Sequence, residues 1–206
     1  MHLRQVVISP AVPTALGATL GQDHMQKNEA ELASAAEGDV ALILDLNGVK
    51  GVNASYLKAT VFWAMQCGHA EVQHREPASS DRWAVRPLRL FPAVTGCSDE
   101  VASDVDEFFR GRSLAILHVD KRTDAHLVKG RVLGALDPVL ELTLNGLLSV
   151  GAATAADLSN QSQEKITVSG WSNRLADLHL MRLATRRRDG KFWIYSPTAK
   201  QITLWD

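Results

Sequence analysis

Cysteine is scarce in this sequence. Cys67 and Cys97 are the only two among 206 residues, which argues against a disulfide framework or a Cys-rich zinc site and for a reducing compartment. Long apolar runs are absent as well. None exceeds five residues, the length of Val40 to Leu44, whereas a membrane-spanning helix needs about 20. The opening residues, Met1-His2-Leu3-Arg4-Gln5, show no basic region followed by an apolar stretch and a cleavage site, so no secretory leader is expected. The expectation is a cytoplasmic protein with no membrane partner. Catalytic signatures are missing too. There is no His-Glu-x-x-His, Gly-x-Ser-x-Gly, Walker A or Gly-x-Gly-x-x-Gly pattern, so neither an enzyme nor a cofactor is expected. His69 and His74 follow Cys67, with Cys97 downstream, but the spacing matches no common zinc pattern and no metal is expected.

What is present is ordinary globular composition, 46% apolar and 22% charged, enough for one large domain or two small ones. The net charge of -1 hides an asymmetry. Residues 1–164 hold 14 Lys/Arg against 20 Asp/Glu, and residues 165–206 hold 8 against 3. A basic end attracts polyanions, while an acidic bulk limits indiscriminate association.

The chain reads as an α/β N-terminal part and a C-terminal α+β part. Arg4 to Ile8 fits a short strand, and Gln26 to Ala36 a helix. Asp39 to Leu46 is β-rich and apolar, as a strand buried on both faces would be. Asn47-Gly48 ends it as a turn. Asp45, at the end of that strand, reads as a turn residue. A helix fits from Ala54 to Gln66, with Gly68 at its C-terminal cap. Glu71 to Arg82 reads as a loop, and Val85 to Phe91 as extended, with Pro87 suggesting an edge or bulge. Ser98 caps a helix over Val101 to Arg110, and Leu114 to Val119 is another strand. Lys121 to Lys129 is polar and reads as a linker, giving domains at 1–125 and 126–206.

Beyond it, Asp137-Pro138 marks a sharp helix start. Leu140, Leu144, Leu147 and Leu148 follow at helical spacing, and Gly151 ends the helix. Thr154 caps a short second helix. Thr167 or Ser169 caps a third, in which Trp171, Leu175 and Leu178 form an apolar stripe. Leu183 to Arg188 and Phe192 to Tyr195 are extended, joined by Asp189-Gly190 read as a type I′ turn.

Three helices followed by a hairpin is the layout of a winged helix-turn-helix, whose third helix would enter the major groove and whose hairpin would be the wing. The residues expected to meet double-stranded DNA are Thr167, Ser169, Ser172, Asn173 and Arg174 on the third helix. Arg186, Arg187, Arg188 and Lys191 would act from the wing. Asn pairs with adenine and Arg with guanine; the hydroxyls and wing cations suit phosphates. The stretches "LDPVLELTLNGLLSVGAATAADLS" and "ITVSGWSNRLADLHLMRLATRRRDGKFWIYSP" resemble winged-helix regulators of the broad bacterial and archaeal type. The resemblance implies that the third helix reads DNA and the wing touches the backbone.

The segment "VALILDLNGVKGVNASYLKATVF" resembles the STAS-like fold of anti-sigma-factor antagonists. Those proteins carry Asp-Ser-Ser/Thr-Gly at the helix start, where the first hydroxyl takes a regulatory phosphate. Here the matching residues are Asn53-Ala54-Ser55-Tyr56, so the acid and the phosphorylatable position are both lost. Asn53 and Ser55 remain as a candidate site for an anion or a protein partner at a helix N-terminus. A STAS-like domain joined to a winged helix resembles a class of bacterial regulator. It implies a homodimeric DNA-binding transcriptional regulator whose N-terminal domain dimerises or senses. The alternative is an anti-sigma-antagonist-like interaction module that does not bind DNA.

Overall fold

The computed structural model describes residues 3–28, 39–66, 89–162 and 164–205. The chain is mixed α/β and divides into two compact units, His2–Phe108 and Phe109–Asp206. Among the described residues no helix is long and apolar enough to cross a membrane.

In the first unit three strands pair in parallel, β1 (Arg4–Ile8), β2 (Asp39–Asp45) and β3 (Arg89–Thr95), with β2 in the middle. The apolar run of β2 is explained by this position. Val40 to Leu44 are all buried, as they must be where both faces of a parallel strand are covered. Asp39 pairs with Arg89 across β2 and β3. The Asp45 carboxylate accepts from the Asn47 N–H at 3.0 Å, the turn chemistry its sequence context suggests.

Helix α1 (Ala18–Lys27) packs on α2 (Ala54–Leu57), which continues through a π-helical turn, Lys58–Phe62, into helical residues 63–66. The expected helix over 26–36 is thus corrected in part, because helix forms earlier, from Ala18. Pro10 and Pro13 precede it, and nothing after Gly17 interrupts a helix there. Residues 29–36, Cys67, Gly68, His69, His74, the 71–82 segment and Pro87 lie outside the described residues.

A tight polar contact ties the two helices. The Tyr56 hydroxyl and His24 Nδ1 share a hydrogen bond of 2.9 Å, with the rings edge to face. Burial pushes the Tyr56 hydroxyl up to about 12 and holds the His24 imidazole below its ordinary value. Helix α3 (Asp99–Arg110) begins on Ser98, whose hydroxyl accepts from the Val101 N–H at 3.3 Å.

The second unit holds a hairpin whose first strand matches the expected strand over 114–119 and whose turn region, 121–129, reads as a linker in the sequence. Strands β4 (Ala115–Arg122) and β5 (Leu127–Gly134) pair antiparallel and turn at 123–126, where the Thr123 N–H donates to the His126 carbonyl at 2.8 Å. The polar character of 121–129 has a local cause. Asp120, Lys121 and Arg122 project from the exposed end of β4, past the buried run 115–119. The expected 125/126 boundary falls in this turn. A strand absent from the sequence reading, β8 (Ala199–Leu204), lies parallel to β5.

Helices α4 (Pro138–Val150), α5 (Ala155–Gln161) and α6 (Val168–Leu180) follow. Each starts on the cap its sequence suggests. Asp137 accepts from the Val139 N–H at 2.7 Å. Thr154 and Asp157 form a reciprocal capping box. Thr167 rather than Ser169 caps α6, its hydroxyl accepting from the Gly170 N–H at 3.2 Å. The stripe on α6 is core: Trp171, Leu175 and Leu178 are buried. Burying each such side chain contributes roughly 1.5–3 kcal/mol.

Helix α6 hands over to strand β6 (Ala184–Asp189) through a Schellman motif. The Leu183 N–H donates to the Leu178 carbonyl and the Arg182 N–H to the His179 carbonyl, each at 3.0 Å. Arg182 supplies the left-handed residue, at φ 62°. His179 Nδ1–H donates to the Ala184 carbonyl at 2.9 Å and fixes the same corner.

Strand β7 (Phe192–Pro197) pairs antiparallel with β6 from Asp189↔Phe192 inward. The two-residue turn is therefore Gly190-Lys191, and the expected Asp189-Gly190 type I′ turn is corrected. Only Gly190 has positive φ, at 57°. That is the type II′ pattern, which needs glycine at the first central position. Ala153, between α4 and α5, bridges to Tyr195 through two backbone bonds of 2.9 and 3.0 Å. It adds a third short extended segment beside the hairpin.

Candidate functional site

The polar residues of α6 and the cations of the β6–β7 hairpin belong to one compact unit. The inward stripe of α6 fixes what faces out. Thr167, Ser169, Ser172 and Asn173 are exposed. Ser169 also shares a hydrogen bond of 3.0 Å with the Thr167 hydroxyl, so both are partly committed to the helix start. Ser172 and Asn173 stand one turn further along. Arg174 is half-buried, and its guanidinium lies 5.7 Å from the Trp171 ring. This places its charge along the flank of the helix.

The hairpin divides its side chains between two faces, because directly paired residues point the same way. On one face, Arg186 and Arg188 lie 4.3 and 5.9 Å from the centroid of Trp193. Cation–π attraction holds both guanidiniums close to the indole. The Arg188 Nε–H also donates to the Gly190 carbonyl at 3.2 Å. On the other face are Arg187, Asp189, Phe192 and Ile194. Arg187 approaches Asp189 at 3.8 Å, with both side chains more than half exposed, so this pair is weak. Lys191 is exposed in the turn. Arg187, Arg188 and Lys191 therefore reach solvent at the tip, while Arg186 is half-buried further back.

Asn53 and Ser55 have different fates. The Asn53 carboxamide caps α2, accepting at 3.0 Å from both the Tyr56 and the Gly17 N–H groups. Asn53 thus splices the segment before α1 to the start of α2. Ser55 is exposed and borders an open hollow of about 570 Å³, which Gln22, Lys58, Trp63 and Gln66 also line.

A second polar cluster lies on β4 and β5. His118 Nδ1–H donates to Asp120 at 3.1 Å, and Arg131 Nη2 lies 3.0 Å from the same carboxylate oxygen. The Arg131 guanidinium stacks 4.5 Å from the Trp205 ring. His118 Nε2 is buried and has no hydrogen-bond partner among the described residues. With 4% of its surface exposed, this imidazole is part of the packing. Burial holds it below its ordinary value; Asp120 opposes that shift and Arg131 adds to it.

A lowered folded pKa means that the unfolded chain binds the proton more readily. The stability due to neutral His118 and His24 is therefore present above the ordinary value of 6.5 and lost as pH falls below it. Chemical denaturation at pH 7.5 and 5.5 should show lower stability at 5.5, with a smaller drop in His118→Gln. An equal drop in that variant excludes His118 as a source.

Among the described residues, no group of three or more His, Cys, Asp or Glu side chains is placed to hold a metal ion. No protein-family model matches this sequence, and none of the curated proteins compared with it matches either.

The sequence reading missed Phe192 and Trp193 as surface features. Both read as strand formers by propensity, and only the structure shows that Phe192 is 63% exposed.

Proposed function

We propose that this protein is a DNA-binding transcriptional regulator, with residues 126–206 acting as a winged helix. Helix α6 enters the major groove, presenting Ser172 and Asn173 to base edges, while Thr167 and Ser169 face phosphates at its N-terminal end. Arg174 meets the backbone from the flank. The hairpin is the wing, and Arg186, Arg187, Arg188 and Lys191 hold the adjacent backbone.

One observation carries this reading. The outward polar face of α6 and the most basic hairpin tip among the described residues belong to the same helix–helix–helix–hairpin unit. The Ala153–Tyr195 bridge adds the short extended segment between its first two helices. Fold order and charge agree independently. A homodimer follows from the same reading, since one such module covers a small DNA surface and two half-sites supply the rest. The N-terminal part, read as STAS-like, serves dimerisation or sensing, with exposed Ser55 at its candidate partner surface.

The test is fluorescence anisotropy with the duplex upstream of the protein's own gene and with scrambled duplex, at two salt concentrations. Salt-sensitive binding that prefers the upstream duplex is expected. Absence of binding to either moves the function to protein–protein interaction, to be pursued by a pull-down with the full chain.

A further inference from the structure

Phe192 is the most exposed large hydrophobic residue among those described. It follows directly on the Gly190-Lys191 turn and pairs with Asp189, so its ring stands at the leading end of the hairpin. Trp193, its neighbour, lies on the opposite face near Arg186 and Arg188. Those guanidiniums occupy the indole. Among the described residues no ring or guanidinium stacks on Phe192, which leaves it as the most exposed aromatic surface at the tip.

A large apolar ring held in water on the face of Arg187 and Asp189, next to Lys191 in the turn and with Arg188 on the opposite face of the same tip, is opposed by the hydrophobic effect. Asp189 is the only acid at the tip, and it lies near Arg187. The minor groove of duplex DNA accommodates both features. Its walls are phosphates, which suit the cations, and its floor is a stack of base pairs, into which an apolar side chain can wedge. The groove is about 6 Å wide. Two strands spaced about 4.8 Å apart, with side chains on both faces, are too broad to enter it. One ring at the tip is not.

We propose that Phe192 is a wedge that enters the minor groove of duplex DNA, partly unstacks one base step and kinks the duplex there. This rests on the DNA-binding reading above. Pyrimidine–purine steps unstack most easily, so the wedge favours TA or CA/TG at one position beside the sequence read by α6. The wing thereby contributes sequence preference through deformability, without hydrogen bonds to bases.

The experiment uses the full chain and the duplex upstream of its gene. Donor and acceptor dyes mark the two ends, and 2-aminopurine is placed at successive steps. Wild-type protein raises energy transfer between the dyes and raises 2-aminopurine fluorescence at one step. Phe192→Ala binds about tenfold more weakly, with both signals lost and the salt dependence unchanged. Phe192→Leu, still an apolar wedge, restores most of both. The ring is exposed, so the melting temperature of each variant stays at the wild-type value. If Phe192→Ala bends and unstacks the duplex as wild type does, the wedge is wrong and the DNA-binding reading stands. The same holds if wild type binds without bending. If wild type binds no duplex at all, the DNA-binding reading fails and takes the wedge with it.

Discussion

On the proposed DNA-binding reading, replacing Arg187, Arg188 and Lys191 together by alanine is expected to lower affinity for duplex DNA about 100-fold at 0.15 M salt. The figure follows from counterion release. Each phosphate neutralised contributes about 0.9 to the slope of log K against log salt. Three lost contacts flatten the slope by about 2.7, which at 0.15 M is roughly two orders of magnitude. All three side chains are exposed; Arg187 loses the weak Asp189 pair and Arg188 its Trp193 and Gly190 contacts, so stability falls by about 1 kcal/mol. Asn173→Ala behaves differently. It leaves the slope unchanged and relaxes preference at one base pair by about 1–3 kcal/mol. Anisotropy titrations from 50 to 300 mM salt separate the two effects. An unchanged slope in the triple variant removes the hairpin from the proposed interface.

Gly134→Ala strongly destabilises the second unit. Gly134 ends β5 at φ 97°, a backbone conformation that side chains rarely adopt. A Cβ there would stand 2.3 Å from the Leu114 carbonyl oxygen and 2.7 Å from the Phe109 Cβ. Neither neighbour is the movable end of a flexible side chain. Relief requires parting β4 from β5, and the expected loss is on the order of 3–5 kcal/mol. Gly146→Ala is the matched contrast. It lies inside α4, where the added methyl meets only the Leu158 Cδ2 at 3.9 Å. That change stabilises by up to about 1 kcal/mol. Thermal denaturation of the two variants should move in opposite directions. A Gly134→Ala protein melting with wild type contradicts the packing described at the β4–β5 edge.

Much of this fold is legible in the sequence where local chemistry and tertiary demand agree. Asp137-Pro138 and Thr154 each stand before apolar positions at helical spacing, and each caps a helix. The run Val40 to Leu44 announces a strand covered on both sides. Legibility fails where a strand owes its existence to its partner. In β8 the buried residues are Ala199 and Ile202, three apart, so the alternation that marks a half-buried strand is absent. In β4 the pairing with β5 shifts register between Val119 and Arg122, and the charged end then reads as a linker. The candidate site divides in the same way. Its residue types and their basic excess are visible in the chain. Which of them point outward depends on the burial of Trp171, Leu175 and Leu178. Which aromatic stands at the hairpin tip depends on a register that begins at Asp189↔Phe192.

The most direct test of the central claim is chemical-shift mapping of the full chain as duplex DNA is added. Binding through the proposed face shifts backbone amides of 167–174 and 186–192, leaving β1, β2 and β3 unchanged. Shifts confined to His2–Phe108, or no shifts at millimolar duplex, contradict it.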